Sequence, residues 1–449
     1  MRDRTADFIA RQVATAVLAG DWTRPVMRAA IAQVFGPISP QRQTHIAKRL
    51  LAQFGQGYPP SPGEIVAFLR EIAAFDALAG LLRAKNAPLP VVLASSQFVP
   101  VPRFAGLEIP AIATTGDLAR WLGLPVEHLD WYADAMRQHG RTDDPDLLHY
   151  SYAFIPKRVG PPRLIEAPKP RMKTIQRRIL HEILDKVPVH DAAHGFVVGR
   201  SCLTGAVRHT GQAMVVTVDL ADFFTTTPLR RVHAMFRSLG YPWAVARCLT
   251  GLCSTTAPAS VFDRIPAPRR HTREAMRAYR EPHLAQGAPS SPALANLAAY
   301  RLDLRLAGLA KAYDATYTRY ADDLSFSGDD AFARKANSLL EAVGTIVEDE
   351  GYALNPRKTR LMRASARQTV TGIVVNDHMN VARGEFDRLK ATLYNCLKNG
   401  PTRENRDDHP DFRAHLDGRI NWVENLNPAR AARLRAIFNS IPWDQSQKN

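Results

Sequence analysis

The chain has 449 residues, 45% of them hydrophobic and 23% charged, an ordinary globular balance with length enough for two or three domains. This composition excludes a disordered chain, a collagen-like fibre and a disulfide scaffold. A formal net charge of +16 and a pI near 9.9 point to a polyanionic partner, nucleic acid first among them.

The N-terminal stretch MRDRTADFIARQ carries charges at Arg2, Asp3, Arg4, Asp7 and Arg11, so no signal-peptide core forms there. Nowhere do 18 apolar residues run on uninterrupted, and a soluble, cytoplasmic protein is expected. Phe8, Ile9, Val13, Val17 and Leu18 recur at helical steps, and Ile65 to Leu82 repeats the pattern. Residues 1–105 therefore read as a helical extension, punctuated by Pro and Gly clusters. Thr115–Asp117 can cap a helix running through Trp121, and Pro125–His139 reads as another. SYAFIPKRVGPPRLIEAPKP gives two strands around Gly160-Pro161-Pro162, followed by a basic helix from Met172 to Leu184.

Basic charge gathers in this middle region. Between Ile155 and Arg280 there are 21 Lys and Arg against 8 Asp and Glu, so 13 of the 16 net positive charges lie there. Ala213 to Val218 is an apolar, β-branched strand ending on Asp219. Thr227-Pro228 opens a helix that Gly240 closes, and Ser291-Pro292 opens a longer one to about Tyr313. Thr316–Tyr320 and Leu324–Ser327 read as strands flanking Ala321-Asp322-Asp323 in a hairpin. The last 75 or so residues read as mostly helical, with Trp422 and Trp443 as packing anchors. Cys202, Cys248, Cys253 and Cys396 have neither C-x-x-C nor zinc spacing and read as buried or free thiols in a reducing compartment.

Adjacent aspartates alone mean little. Asp143-Asp144, Asp329-Asp330 and Asp407-Asp408 also occur and read as solvated loops or caps. Asp322-Asp323 differs in lying on a tight turn between apolar strands, where repelling carboxylates are costly unless a cation neutralises them. Asp219, at the end of a third strand, is a second anionic position, and nearby Asp222 a weaker one. Paired strand-end sites of this kind suit Mg²⁺, and two such ions suit phosphoryl transfer.

VTVDLADFF, QGAPSSPALANL, YTRYADDLSFSG and LNPRKTRLM fall in the order of the palm motifs of reverse transcriptases, and from about Leu118 to Trp443 the chain resembles that family. The resemblance implies an α+β right-hand polymerase, with fingers and palm over 106–375 and a thumb over 376–449. It makes Asp219, Asp322 and Asp323 the catalytic metal ligands for Mg²⁺, or Mn²⁺ in its place, with the carbonyl of Leu220 as a further ligand. Phe224 becomes a gate against the ribose 2′-hydroxyl, or else a core residue. Gln286 would lie along the nucleotide, Lys157 and Arg163 would grip the triphosphate, and Tyr320 would pack beneath the primer end. Lys358 matches a lysine proposed to protonate the leaving pyrophosphate. Arg158, Lys169, Arg171 and Lys173 would meet template or solvent.

The flanks resemble the retron subgroup: HYSY followed by IPK, RLIEAPK, AHGFVVGRS, and Val370-Thr371-Gly372. The subgroup's N-A-x-x-H signature appears with Gly205 in place of Asn, ahead of Ala206 and His209. By this resemblance Val370, Thr371 and Gly372 recognise a structured RNA, and Arg200, Arg208 and His209 lie near it, although His209 could instead be a buried structural histidine. The implied function is copying part of a non-coding RNA into branched, RNA-linked DNA (msDNA) from dNTPs. A separate effector protein would use that product in antiviral defence. An orphan defence enzyme with different priming, or an RNA-binding scaffold with an inert palm, would share many of these motifs.

Overall fold

The computed structural model describes residues 4–19, 22–55, 60–84, 91–92, 97–134, 142–157, 161–265 and 272–443. The protein is α+β, and its chain divides into two compact units. The first unit is Met1–Val189 with Asp222–Ala299, and the second is His190–Ala221 with Tyr300–Asn449.

In the first unit, the N-terminal stretch forms α1 (Arg4–Ala19), α2 (Arg24–Phe35), α3 (Pro40–Phe54), α4 (Pro62–Leu69) and α5 (Ala73–Ala84). Their apolar stripes, Ile9, Val13 and Val17 on α1 and Phe75, Leu78 and Leu82 on α5, close on one core that also takes in Trp243. Val99 and Val101 then donate to the carbonyls of Gly240 and Ser238. Gly240 sits at φ 107, and a Cβ there would come within 2.5 Å of the Pro100 nitrogen. This crossing requires glycine.

A capping box of Thr114 and Asp117 starts α6 (Thr115–Leu122), and α7 (Val126–Tyr132) follows. Of the helix expected over Pro125–His139, residues 135–139 lie outside the described residues. β1 (Tyr150–Ile155) and β2 (Arg163–Pro168) pair antiparallel, and α8 (Pro170–Glu182) carries Arg171, Lys173, Arg177 and Arg178 on its exposed side. The unit continues through α10 (Phe223–Thr226), α11 (Leu229–Ser238), α12 (Trp243–Leu252), α13 (Ser260–Asp263), α14 (Arg273–Arg280) and α15 (Ser291–Ala298).

Two helix starts differ from expectation. Thr227 does not cap α11; its hydroxyl donates back to the Phe223 carbonyl at 2.7 Å, closing α10, and α11 begins after Pro228. The helix opened by Ser291-Pro292 ends at Ala298, and α16 (Tyr300–Ala312) starts separately after Ala299.

The second unit is built on a four-stranded antiparallel sheet in the order β4 (Thr316–Tyr320), β5 (Asp323–Gly328), β3 (Met214–Asp219) and β6 (Arg360–Arg363). Buried β-branched residues Val215, Val216 and Val218 make β3 a central strand. α9 (Cys202–Ala206) precedes β3, α16 packs on β4, and α17 (Asp330–Asp349), capped by Asp329, packs on β3 and β5. A small hairpin of β7 (Thr369–Val370) and β8 (Ile373–Val374) follows. Then come α18 (Arg383–Asn399), α19 (Pro401–Glu404), α20 (Phe412–Leu426) and α21 (Pro428–Asn439). Trp443 packs on the core of this helical end, through Phe438. Trp422, expected as an anchor, is instead 39% exposed. All four cysteines are free. Among the described residues no helix is long and apolar enough to cross a membrane.

Candidate active site

The sheet register assembles the carboxylates. Asp219 ends β3 directly opposite Asp323, the first residue of β5, and Tyr320 faces Asp323 from β4. Ala321 and Asp322 form the two-residue turn, with Ala321 at φ 56, and the Leu220 amide donates to the Asp322 carbonyl at 2.9 Å. Asp219 is buried, whereas Asp322 and Asp323 are half-buried.

A short 3₁₀ turn, Pro356–Lys358, then supplies Asp219's partners. Lys358 Nζ lies 2.6 Å from Asp219 Oδ1, and Asn355 Nδ2 donates to Oδ2 at 3.3 Å. The Asn355 amide also donates to the Asp219 carbonyl at 2.8 Å. Asn355 carried no role in the sequence reading. Its signal was its place three residues before Lys358 in LNPRK, where a proline-started turn brings both side chains to one carboxylate.

Burial, with repulsion from Asp322 and then Asp219, pushes the Asp323 carboxyl up to about 6, against a partial offset from Lys358. Burial draws the Lys358 ammonium down, but its bond to Asp219 and the surrounding carboxylates outweigh this and raise it. The cluster thus holds more negative charge than one lysine neutralises. Among the described residues no three His, Cys, Asp or Glu side chains are gathered into a ready-made ion cage. A hard divalent ion does not require one, because one or two carboxylates suffice when water and phosphate oxygens complete its shell. The donor set therefore fits.

In the first unit, Lys157 and Arg163 are both exposed at the open end of the β1–β2 pair, where Ile155 faces Arg163; Arg158 and Gly160 lie outside the described residues. Gln286 is half-buried and its carbonyl accepts from the Glu166 amide at 2.9 Å. Gly287 follows at φ 132, where a Cβ would stand 2.9 Å from the Glu166 carbonyl oxygen. Beneath this contact Glu166 Oε2 meets His283 Nε2 at 2.9 Å, both side chains wholly buried. Phe223 is buried and Phe224 half-buried, so of these neighbours only Phe223 is a core residue.

Two expected RNA contacts need correction. His209 is fully buried, with Ser327 Oγ and Thr318 Oγ1 each 2.7 Å from a ring nitrogen, and burial lowers its pKa to about 3. It is a neutral structural histidine joining β4 and β5. Val370 is 2% exposed and packs into the core of the second unit, leaving Thr371 (φ 49) and Gly372 (φ 83) as the turn of the hairpin. Arg208 is exposed. Arg200 instead ties its own loop together, donating to the carbonyls of His190, Asp191 and Ala193.

Residues 155–379 match the family model described as reverse transcriptase (RNA-dependent DNA polymerase), and the chain belongs to that family. It is 37% identical over 406 residues to the retron Mx65 reverse transcriptase of Myxococcus xanthus, covering 89% of this chain and 87% of the relative. It is 39% identical over 338 residues to the retron Mx162 reverse transcriptase of the same organism (72% and 66% covered). To the retron Ec86 reverse transcriptase of Escherichia coli it is 30% identical over 236 residues (52% and 65% covered). Within its family the protein is a retron-type RNA-directed DNA polymerase. Divalent metal ions are the general cofactors of reverse transcriptases.

Proposed function

We propose that the protein copies part of a structured non-coding RNA into RNA-linked single-stranded DNA, priming from a 2′-hydroxyl of that RNA, with Asp219, Asp322 and Asp323 holding two Mg²⁺ ions. The observation that carries this reading is the register setting Asp219 opposite Asp323, with the Asp323 carboxyl raised by burial and by its acidic neighbours. Bound there, the ions supply Lewis acidity toward the priming hydroxyl and the leaving pyrophosphate. The Leu220 carbonyl is proposed as a further ligand, and Lys358 as proton donor to the pyrophosphate. Lys157, Arg163 and Gln286 bind the dNTP, Tyr320 supports the primer end, and Arg208, Thr371 and Gly372 touch the RNA. Fingers and palm occupy 106–375, the thumb 376–449 and the extension 1–105. The four free cysteines support a reducing, cytoplasmic setting, where a separate effector would use the product in antiviral defence.

The test is to purify the protein from cells carrying its native locus and digest the co-purified nucleic acid with DNase or RNase. A discrete DNA joined to RNA, absent from an Asp322→Ala, Asp323→Ala double variant, is the expected result. RNA with no DNA would make the protein an RNA-binding scaffold, and DNA with no RNA attached would mean a different priming reaction.

Phe224 is proposed to exclude ribonucleotides by contact with the 2′-hydroxyl. Phe224→Ala is expected to raise ribonucleotide incorporation relative to deoxyribonucleotide by about 10–200-fold, read as the ratio of kcat/KM values. Phe223→Ala is the control: loss of a buried ring costs about 3–5 kcal/mol of stability without changing that ratio. Unchanged selectivity in a folded Phe224→Ala protein would remove the gate.

A further inference from the structure

Arg319 stands immediately before the Tyr320-Ala321-Asp322-Asp323 box and is the largest fully buried side chain among the described residues. Its guanidinium forks onto Asp303 of α16, with Nε 2.8 Å from Oδ1 and Nη2 2.6 Å from Oδ2, and the Tyr317 hydroxyl donates to the same carboxylate at 2.8 Å. Neither charged side chain has any exposure. Stability does not explain such a pair. Removing two charges from water is costly, and apolar residues of similar volume often pack as well or better.

The remaining arm does explain it. Arg319 Nη1 donates to the Ala321 carbonyl at 3.0 Å, so the guanidinium reaches from α16 to the turn that carries both aspartates. Ala321 is held at φ 56, a conformation an alanine does not adopt without support from its surroundings. The turn's other contacts point the same way. Asp322's carbonyl is taken by the Leu220 amide, and Gly195 lies so close that a Cβ on it would be 2.6 Å from the Ala321 nitrogen. Residues 192–194 meet β4 through a single parallel bridge, Ala193 opposite Arg319, with the Arg319 amide donating to the Ala192 carbonyl and the His194 amide to the Arg319 carbonyl, each at 2.7 Å.

We infer that Arg319, oriented by Asp303, is a positioning residue for Asp322 and Asp323: its guanidinium holds the Ala321 carbonyl and thereby fixes the turn on which both carboxylates are mounted. The inference rests on the proposed role of those two aspartates. Arginine is required because its rigid fork serves a carboxylate and a carbonyl at once, which a lysine ammonium on a flexible stem does not.

Arg319→Met alone strands the Asp303 charge and need not fold, so the informative protein is the triple variant Arg319→Met, Asp303→Leu, Tyr317→Phe, tested beside Arg319→Lys. The triple variant is expected to melt at or above the wild-type midpoint, to bind a primer–template duplex with wild-type affinity by fluorescence anisotropy, and to keep KM for dNTP within about twofold. Its kcat is expected to fall about 10²-fold, the effect of a misplaced reacting group. Arg319→Lys should lose kcat likewise while keeping its charge. Wild-type kcat in the folded triple variant overturns the inference, as does a wild-type rate in Arg319→Lys. The Asp322→Ala, Asp323→Ala variant separates the two levels. If it still polymerises, the reading of the site is wrong; if it is inactive while the triple variant runs normally, only the role of Arg319 fails.

Discussion

Asp323→Asn is expected to abolish DNA synthesis and at the same time to raise the melting temperature of the metal-free protein. The two effects have one cause. With its carboxyl at about 6, Asp323 is ionised near neutral pH against its own burial and the charges of Asp322 and Asp219. Its folded pKa lies above the ordinary value of 3.8, so the folded form binds a proton that the unfolded chain has released. This contribution to stability therefore falls as pH rises from about 4 to about 6, and the full penalty applies above that window. Discounted for solvent screening, it amounts to at most about 2 kcal/mol. Asparagine removes it, so the melting point should rise by up to about 2 °C at pH 7, and the share of its pH dependence that Asp323 contributes between 4 and 6 should vanish. Divalent ions should invert the order. A ligand that binds only the folded state stabilises it by mass action, so Mg²⁺ should raise the melting point of the wild type and do less for the variant. The loss of metal-borne transition-state stabilisation, a few kcal/mol, corresponds to at least about 10³-fold in kcat. Scanning fluorimetry with and without Mg²⁺, beside primer extension, measures both. A variant that is destabilised without metal, or that still extends primers at a tenth of the wild-type rate, contradicts this account.

Local pattern carried much of this site. The β-branched run ending on Asp219 and the apolar strands around Asp322-Asp323 are short, continuous apolar runs of the kind that fill a sheet interior, and the β4–β5 register follows from a two-residue turn. The inward Phe223 and half-exposed Phe224 also follow from neighbouring positions on one short helix. What the sequence concealed lies in long-range pairing. Asn355 and Lys358 reach Asp219 from 136 and 139 residues away, and only its place in the turn before Lys358 marks Asn355 as a partner. Arg319 reads as one more basic residue in a basic chain until Asp303 is found beneath it on α16. His209 and Val370 fail for the converse reason. A motif names a position, but burial decides whether its side chain meets a ligand or a core, and both side chains meet the core. Thr227 shows the same limit at short range, because its hydroxyl could accept from the amides of the helix ahead or donate to a carbonyl behind, and it donates to the Phe223 carbonyl.

Lys358 provides the second large effect. Its ammonium lies 2.6 Å from Asp219, so in the metal-free protein it is the cation resident at the carboxylates, while 55% of its side chain is exposed toward solvent. Its raised pKa keeps it protonated throughout the working range, and an ion bound at Asp219 would displace it from that partner and leave a protonated donor beside the site. A positioned general acid contributes about 10²–10⁴-fold. Lys358→Met is therefore expected to lower kcat within that range while changing the KM for dNTP little, because the proton is needed only as pyrophosphate leaves. Lys358→Arg discriminates between charge and proton transfer. Its guanidinium restores the positive charge but does not give up a proton near neutral pH, so it should rescue the melting temperature and not kcat. Because the folded pKa is raised, the stability this ion pair contributes is present below the ordinary lysine value and lost only as pH rises through the folded one. Stability near neutrality should thus be insensitive to pH at this residue, and a fall in kcat on acidification toward pH 6 belongs to Asp323 rather than to Lys358. Full activity in Lys358→Arg would make the residue an electrostatic partner of Asp219 and leave the pyrophosphate to be protonated by water.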